Sequence, residues 1–84
     1  MKLKIVTPNE LYFEGDVAHV MAPGFEGYLG ILDNHAPFVT PVTPGNLSFR
    51  DTAGRTTTVT VEGGFLEVSR NRVLVLTDKV QTNV

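Results

Sequence analysis

His35 follows Asp33 and Asn34 and precedes Ala36-Pro37, and this is where chemistry would first be sought. An aspartate two residues from a histidine can make an acid–base pair or half of a metal site. Either use needs a further ligand or a nucleophile, and none stands nearby in the chain. Asp33 and His35 are therefore expected to hydrogen-bond within a compact loop. His19 shares the parity of Val17 and Met21, which predicts a half-buried imidazole bonded to a neighbour rather than a ligand or base. Ser48 and Ser69 have no base motif beside them, and Gly63-Gly64 opens no helix, so it is not a phosphate-cradling loop. The chain has no cysteine, which removes thiolate nucleophiles, disulfides and cysteine-ligated zinc. The expectation is a non-catalytic chain with no metal site and no cofactor.

The elements that position these residues must fit within 84 residues. That length makes one domain, residues 1–84, with a modest core. The hydrophobic fraction of 42% is too high for disorder. Net charge is −2, and the seven basic residues are scattered from Lys2 to Lys79 without a stripe. Nucleic-acid binding, which needs a basic track to neutralise phosphates, is not expected. The start, Met1 to Pro8, lacks the apolar run of a signal peptide, and no run of apolar residues reaches membrane-spanning length. A cytoplasmic location follows as the default.

No window holds a helical period. Glycine and proline recur every few residues and leave about eight to ten short apolar runs, which predicts an all-β sandwich with antiparallel pairing. The expected strands run over 2–7, 11–14, 17–22, 28–32, 38–42, 46–50, 55–62, 65–70 and 72–78. Between them, Gly15-Asp16, Pro44-Gly45 and Gly63-Gly64 read as breaks, and Asp51 to Gly54 as a hairpin loop. Pro41 makes its strand an edge, a bulge or the end of a pairing. Thr57, Val59 and Val61 alternate with Thr56, Thr58 and Thr60, as in a strand with one wet face. Val73 and Val75 oppose Leu74 and Leu76, so the last strand is apolar on both faces and must be central or covered. Val80 to Val84 carries no helix start signal.

The segment Pro23 to Pro37 is long for a sandwich connection and holds Phe25, Tyr28, Leu29, Ile31 and Leu32. Alternation sends Leu29 and Ile31 to the core and leaves Phe25, Tyr28 and Leu32 for an exposed apolar patch, a mark of interaction sites. The other reading of this segment is a loop packed on itself over the end of the sandwich.

Here the chain resembles the epsilon subunit of rotary F-type ATP synthases. Gly27-Tyr28-Leu29-Gly30-Ile31, a three-residue spacer, and His35-Ala36-Pro37 match that family's loop. Thr43-Pro44-Gly45 is similar to its proline-glycine turn. Gly63-Gly64-Phe65-Leu66-Glu67-Val68 followed by Val73 to Asp78 resembles its glycine-glycine strand and the strand after it. The opening fits too, with Thr7-Pro8 and the Phe13-x-Gly15 step, so the resemblance covers essentially the whole chain.

The resemblance implies a flattened β-sandwich of about ten strands that does no bond-making. It implies a rotor subunit that links the gamma shaft to the ring of c subunits, so that proton or sodium flow drives ATP synthesis. By motif position, Gly27, Tyr28 and Leu29 would meet the c ring, and His35, Phe38, Thr40, Lys79, Val80 and Gln81 would meet gamma. The location implied is peripheral, on the cytoplasmic face of a bacterial plasma membrane. The family often has an acidic residue where Tyr28 stands, so the ring contact here would rest on stacking and burial more than on charge. Many members continue into two helices that inhibit rotation or bind ATP. The sequence stops at Val84, which gives the expectation of coupling without that inhibition and without nucleotide. A carbohydrate-binding sandwich is the main alternative, but it would present aromatic platforms, and there is no tryptophan and only Tyr12 and Tyr28. A small hydrolase on a β scaffold would need a nucleophile–base pair.

Overall fold

Each face of the sandwich is built from strands that change layers partway along. The computed structural model describes residues 1–33 and 36–82 and contains seven strands. They are β1 (Lys2–Val6), β2 (Leu11–Gly24), β3 (Gly27–Leu32), β4 (Phe38–Asp51), β5 (Thr56–Ser69), β6 (Arg72–Leu76) and β7 (Val80–Thr82). No helix occurs among the described residues. The all-β expectation holds, but three of the strands are 14 residues long and run straight through sites read from sequence as breaks.

The burial pattern shows why. In β4 the buried side chains pass from Val42 to Leu47 and Phe49, and in β5 from Val59 and Val61 to Leu66 and Val68. Side chains on a strand alternate with period two, so each change of parity marks a place where the strand turns its other face inward. Both changes fall at one level of the β4–β5 ladder, where Val42 faces Gly64 and Pro44 faces Glu62. Pro44-Gly45 and Gly63-Gly64 therefore bend two paired strands together instead of ending them. Strand β2 makes its own change at a bulge: Val17 pairs Asp51 while His19 pairs Arg50, leaving Ala18 as the extra residue. Val17 thus faces the core while His19 and Met21 face outward, so the shared parity read from sequence holds only for His19 and Met21.

The bends divide the seven strands into two layers of five segments. Layer one has the order β4 (38–42), β5 (64–69), β6, β1, β2 (11–16). Layer two has the order β3, β2 (19–24), β4 (44–51), β5 (56–62), β7. The eight to ten short strands expected from sequence correspond to these segments. The β1–β6 pair is parallel, a departure from all-antiparallel pairing: the first strand of the chain fills the place between β2 and β6. The tail, which carries no helix start signal, supplies β7, antiparallel to β5.

The core between the layers holds Leu3, Ile5, Val17, Val20, Ile31, Leu47, Val59, Val61, Leu66, Val73 and Val75, all fully enclosed. Burying a branched side chain of this size contributes about 1.5–3 kcal/mol. The Phe13 and Phe49 rings meet across the layers, 4.5 Å apart and tilted by 39°. Phe13 reaches Phe49 because Gly15 has no side chain: a Cβ there would stand 3.0 Å from Cζ of Phe13. The Asp51 to Gly54 loop is the hairpin turn that the sequence predicts. Asp51 Oδ1 accepts from the backbone N–H groups of Ala53 and Arg55, both at 2.9 Å, and Arg70 and Asn71 take positive φ in the β5–β6 turn.

Candidate docking surfaces

Strands β2 and β3 form a hairpin whose tip, Phe25-Glu26, is closed by Gly24 opposite Gly27. Gly27 takes φ +109 and has nothing within 4 Å of a built Cβ, so it is there for its backbone conformation. Strand β3 is the border of layer two. Alternation sends Ile31 into the core and leaves Leu29 half-buried on the same face. The other face carries Tyr28, Gly30 and Leu32. Phe25 is 79% exposed, Tyr28 59% and Leu32 57%, which makes this an exposed apolar patch. The loop-packing alternative is thereby set aside for these three residues.

A second surface appears only once the strands are in register. On the outer face of layer one, the ladders align Pro41, Phe65, Leu76, Val6 and Leu11 in one row across five strand segments. Phe65 is 54% exposed, Leu76 46% and Leu11 51%. Beyond it lies a mixed row, Val39, Glu67, Leu74, Lys4 and Glu14, and then a polar one, Ser69, Arg72, Lys2 and Asp16. The face is thus graded from apolar to charged, with charges of both signs at the polar end. The two apolar faces read for β6 are confirmed, and its outer face is this stripe. Sequence offered the signal of Leu74 and Leu76, but the stripe depends on the parallel β1–β6 register, which no local pattern encodes.

The residues singled out for contact are distributed as follows. Gly27, Tyr28 and Leu29 lie together at the start of β3. Phe38 and Thr40 sit half-buried on the open border of layer one, where β4 (38–42) pairs only β5. Lys79 directly precedes β7, and Val80 and Gln81 lie in it at the border of layer two, Val80 packing against the core. The Tyr12 hydroxyl meets the Thr82 hydroxyl at 2.9 Å, which ties β7 to the β2 border of layer one, away from Phe38 and Thr40. The structure does not gather the two groups into one patch, and His35 lies outside the described residues. Pro41 opens the stripe beside Thr40, and Leu76, three residues before Lys79, lies in its middle.

The polar candidates are placed separately. Asp33 Oδ1 accepts from the Met1 amino nitrogen at 2.9 Å, and that nitrogen also donates to the Val17 carbonyl at 3.0 Å. Ser48 lies on the outer face of layer two between Met21 and Thr58. Ser69 faces Arg72 at the far end of layer one. Among the described residues no three His, Asp or Glu side chains converge on a point that could hold a metal ion.

The sequence matches the ATP synthase delta/epsilon chain beta-sandwich domain over residues 1–83. The chain is similar to the ATP synthase epsilon chain of Pelotomaculum thermopropionicum, 44% identical over 80 residues, covering 95% of this chain and 59% of that one. It is likewise 38% identical over 81 residues to that of Moorella thermoacetica, covering 96% and 60%. Against the epsilon chain of Chlorobium limicola it is 39% identical over 79 residues, covering 94% and 90%. The chain spans about three-fifths of the length of the first two relatives. Its fold is shared with a chain in the Euglena gracilis mitochondrial ATP synthase OSCP/F1/c-ring structure, with TM-score 0.90, 24% identity, and coverage of 95% of this chain and 51% of that one. A chain in the Tetrahymena thermophila mitochondrial ATP synthase central stalk/c-ring structure gives TM-score 0.86, 19% identity, and coverage of 98% and 66%. At those identities the likeness is one of fold.

Proposed function

The chain belongs to the ATP synthase delta/epsilon beta-sandwich family, and on that premise we propose that it serves as a non-catalytic stalk component joining the gamma shaft to the c-subunit ring. One observation carries this reading: the domain exposes two separate apolar surfaces, one on each layer. A linker between two partners needs two surfaces that can be covered at once, and exposed apolar area on a small domain is what partners cover.

The hairpin patch, with Gly27, Tyr28 and Leu29 at its base, is the surface for the ring. It presents aromatic and aliphatic area and a single acidic group, Glu26, so its contact rests on burial. The stripe Pro41, Phe65, Leu76, Val6 and Leu11 is the surface for gamma. Phe38 and Thr40, on the border segment that carries Pro41, and Lys79, Val80 and Gln81, at the border of layer two, are assigned to gamma by motif position. His35, in the connection between β3 and β4, belongs to the gamma side by motif position. In this role the domain stands at the cytoplasmic face of a bacterial plasma membrane, held there by its partners.

The test is reconstitution. The chain is mixed with its organism's gamma subunit and detergent-solubilised c ring, and complexes are resolved by size exclusion and calorimetry. The expected result is a ternary complex, with stripe substitutions releasing gamma and hairpin substitutions releasing the ring. A folded chain that binds neither would remove the reading and bring small-ligand binding forward.

A further inference from the structure

The hairpin patch has a titratable group at its centre. His19 stands opposite Leu32 across the β2–β3 ladder, and its Nε2 lies 3.4 Å from where a Cβ on Gly30 would be. The imidazole therefore lies over Gly30, in van der Waals reach of it. Tyr28 and Leu32 flank Gly30 on the same face of β3, so the ring lies between two exposed apolar side chains. His19 itself is half-buried.

Few charges surround it. Arg50 is its cross-strand neighbour on β4, which offers no counter-charge. From β3 the nearest carboxylate in sequence is Asp33, engaged by the Met1 amino nitrogen at 2.9 Å. Glu26 is at the hairpin tip, and the Tyr28 phenol belongs to the patch. Among the described residues no carboxylate stands within ion-pair distance of the imidazole.

We propose that docking at the hairpin patch is coupled to release of a proton from His19, so that acidification loosens the ring contact. The proposal rests on the reading of the hairpin as the ring's surface. A partner seated on Tyr28 and Leu32 covers the imidazole between them and removes it from water, which penalises the charged form. The neutral ring is compatible with burial, and the proton goes to solvent on binding. Histidine is the side chain whose charge changes over the physiological range. One proton per contact limits the effect to about tenfold in affinity per pH unit.

The affinity of the chain for detergent-solubilised c ring is measured from about pH 7.5 down to about pH 5.5, for the parent and for His19→Gln. The parent is expected to weaken by about tenfold over that range, while the Gln variant, which cannot take up a proton, binds with an affinity that does not follow pH. A parent that binds without pH dependence would overturn the proposal alone and leave the ring reading standing. The same slope in His19→Gln would also overturn it, since the titrating group would then lie elsewhere. If neither protein binds at any pH while both remain folded by circular dichroism, the ring reading fails and the proposal with it.

Discussion

Gly64 lies so close to the backbone of β6 that any side chain on it would run into the carbonyl group of Leu76. It also holds φ +127, where residues with a Cβ are strained. Replacement by alanine is expected to cost at least about 3 kcal/mol, a large part of the ~5 kcal/mol typical of so small a domain. Gly54→Ala is the control: its φ is +90 but nothing lies within 4 Å of the added atom, so it is expected to cost only about 1–2 kcal/mol. Urea denaturation of both variants separates the two effects. Equal losses would mean that the approach of Leu76 is not what requires glycine.

The stripe can be tested without harming the fold. Phe65 is more than half exposed, so Phe65→Ser is expected to change stability by less than about 1 kcal/mol. Affinity for gamma is expected to fall by about tenfold or more, because a desolvated aromatic anchor is worth about 1.4 kcal/mol or above. Calorimetric titration with gamma and a thermal melt on the same preparation give both numbers. Undiminished gamma binding would move the contact off this face.

Tyr28→Ala addresses the hairpin in the same way. The side chain stands clear of the core, so the melting curve is expected to stay close to that of the parent. Ring affinity is expected to drop about tenfold or more, and to do so similarly at low and high salt, since the patch has little charge to screen. A loss of folding would make Tyr28 part of the core, and a strong salt effect would point to Glu26 as the main contact.

Tyr12 and Thr82 are joined across the two layers at 2.9 Å. Tyr12→Phe removes that bond from a partly exposed position and is expected to cost about 0.5–1.5 kcal/mol. The loss should be local. Amide exchange should accelerate at Val80 to Thr82 before it does in β5. Uniform acceleration across the domain would instead make the contact part of the global unfolding unit.

The parts of this fold that are local in sequence were legible in it. The Asp51 loop and the alternation of Ile31 with Leu32 both follow from residues within a few positions of one another. Reading glycine and proline as breaks failed at Gly15, Pro44-Gly45 and Gly63-Gly64. There the neighbouring strand bends in step, or another group needs the space: the Phe13 ring at Gly15 and the Leu76 carbonyl at Gly64. At Gly64 and at the joint β4–β5 bend those reasons lie many residues away. The hairpin patch was visible because its three apolar residues sit in one segment. The stripe was not, because its residues come from five strand segments, and only the finished ladders put Leu11 in line with Pro41. His19 was recognised as half-buried, but its place over Gly30 required the β2–β3 register.

The joint bend of β4 and β5 has a mechanical consequence. In a sandwich made of two separate sheets, a sideways force meets only side-chain packing, and the layers can slip past each other. Here β2, β4 and β5 each run from one layer into the other as unbroken backbone. A pull on the hairpin that is resisted at the stripe therefore loads peptide bonds and ladder hydrogen bonds along their length. The domain has no slip plane between its two apolar faces, so a twist applied at one reaches the other with little angular lag.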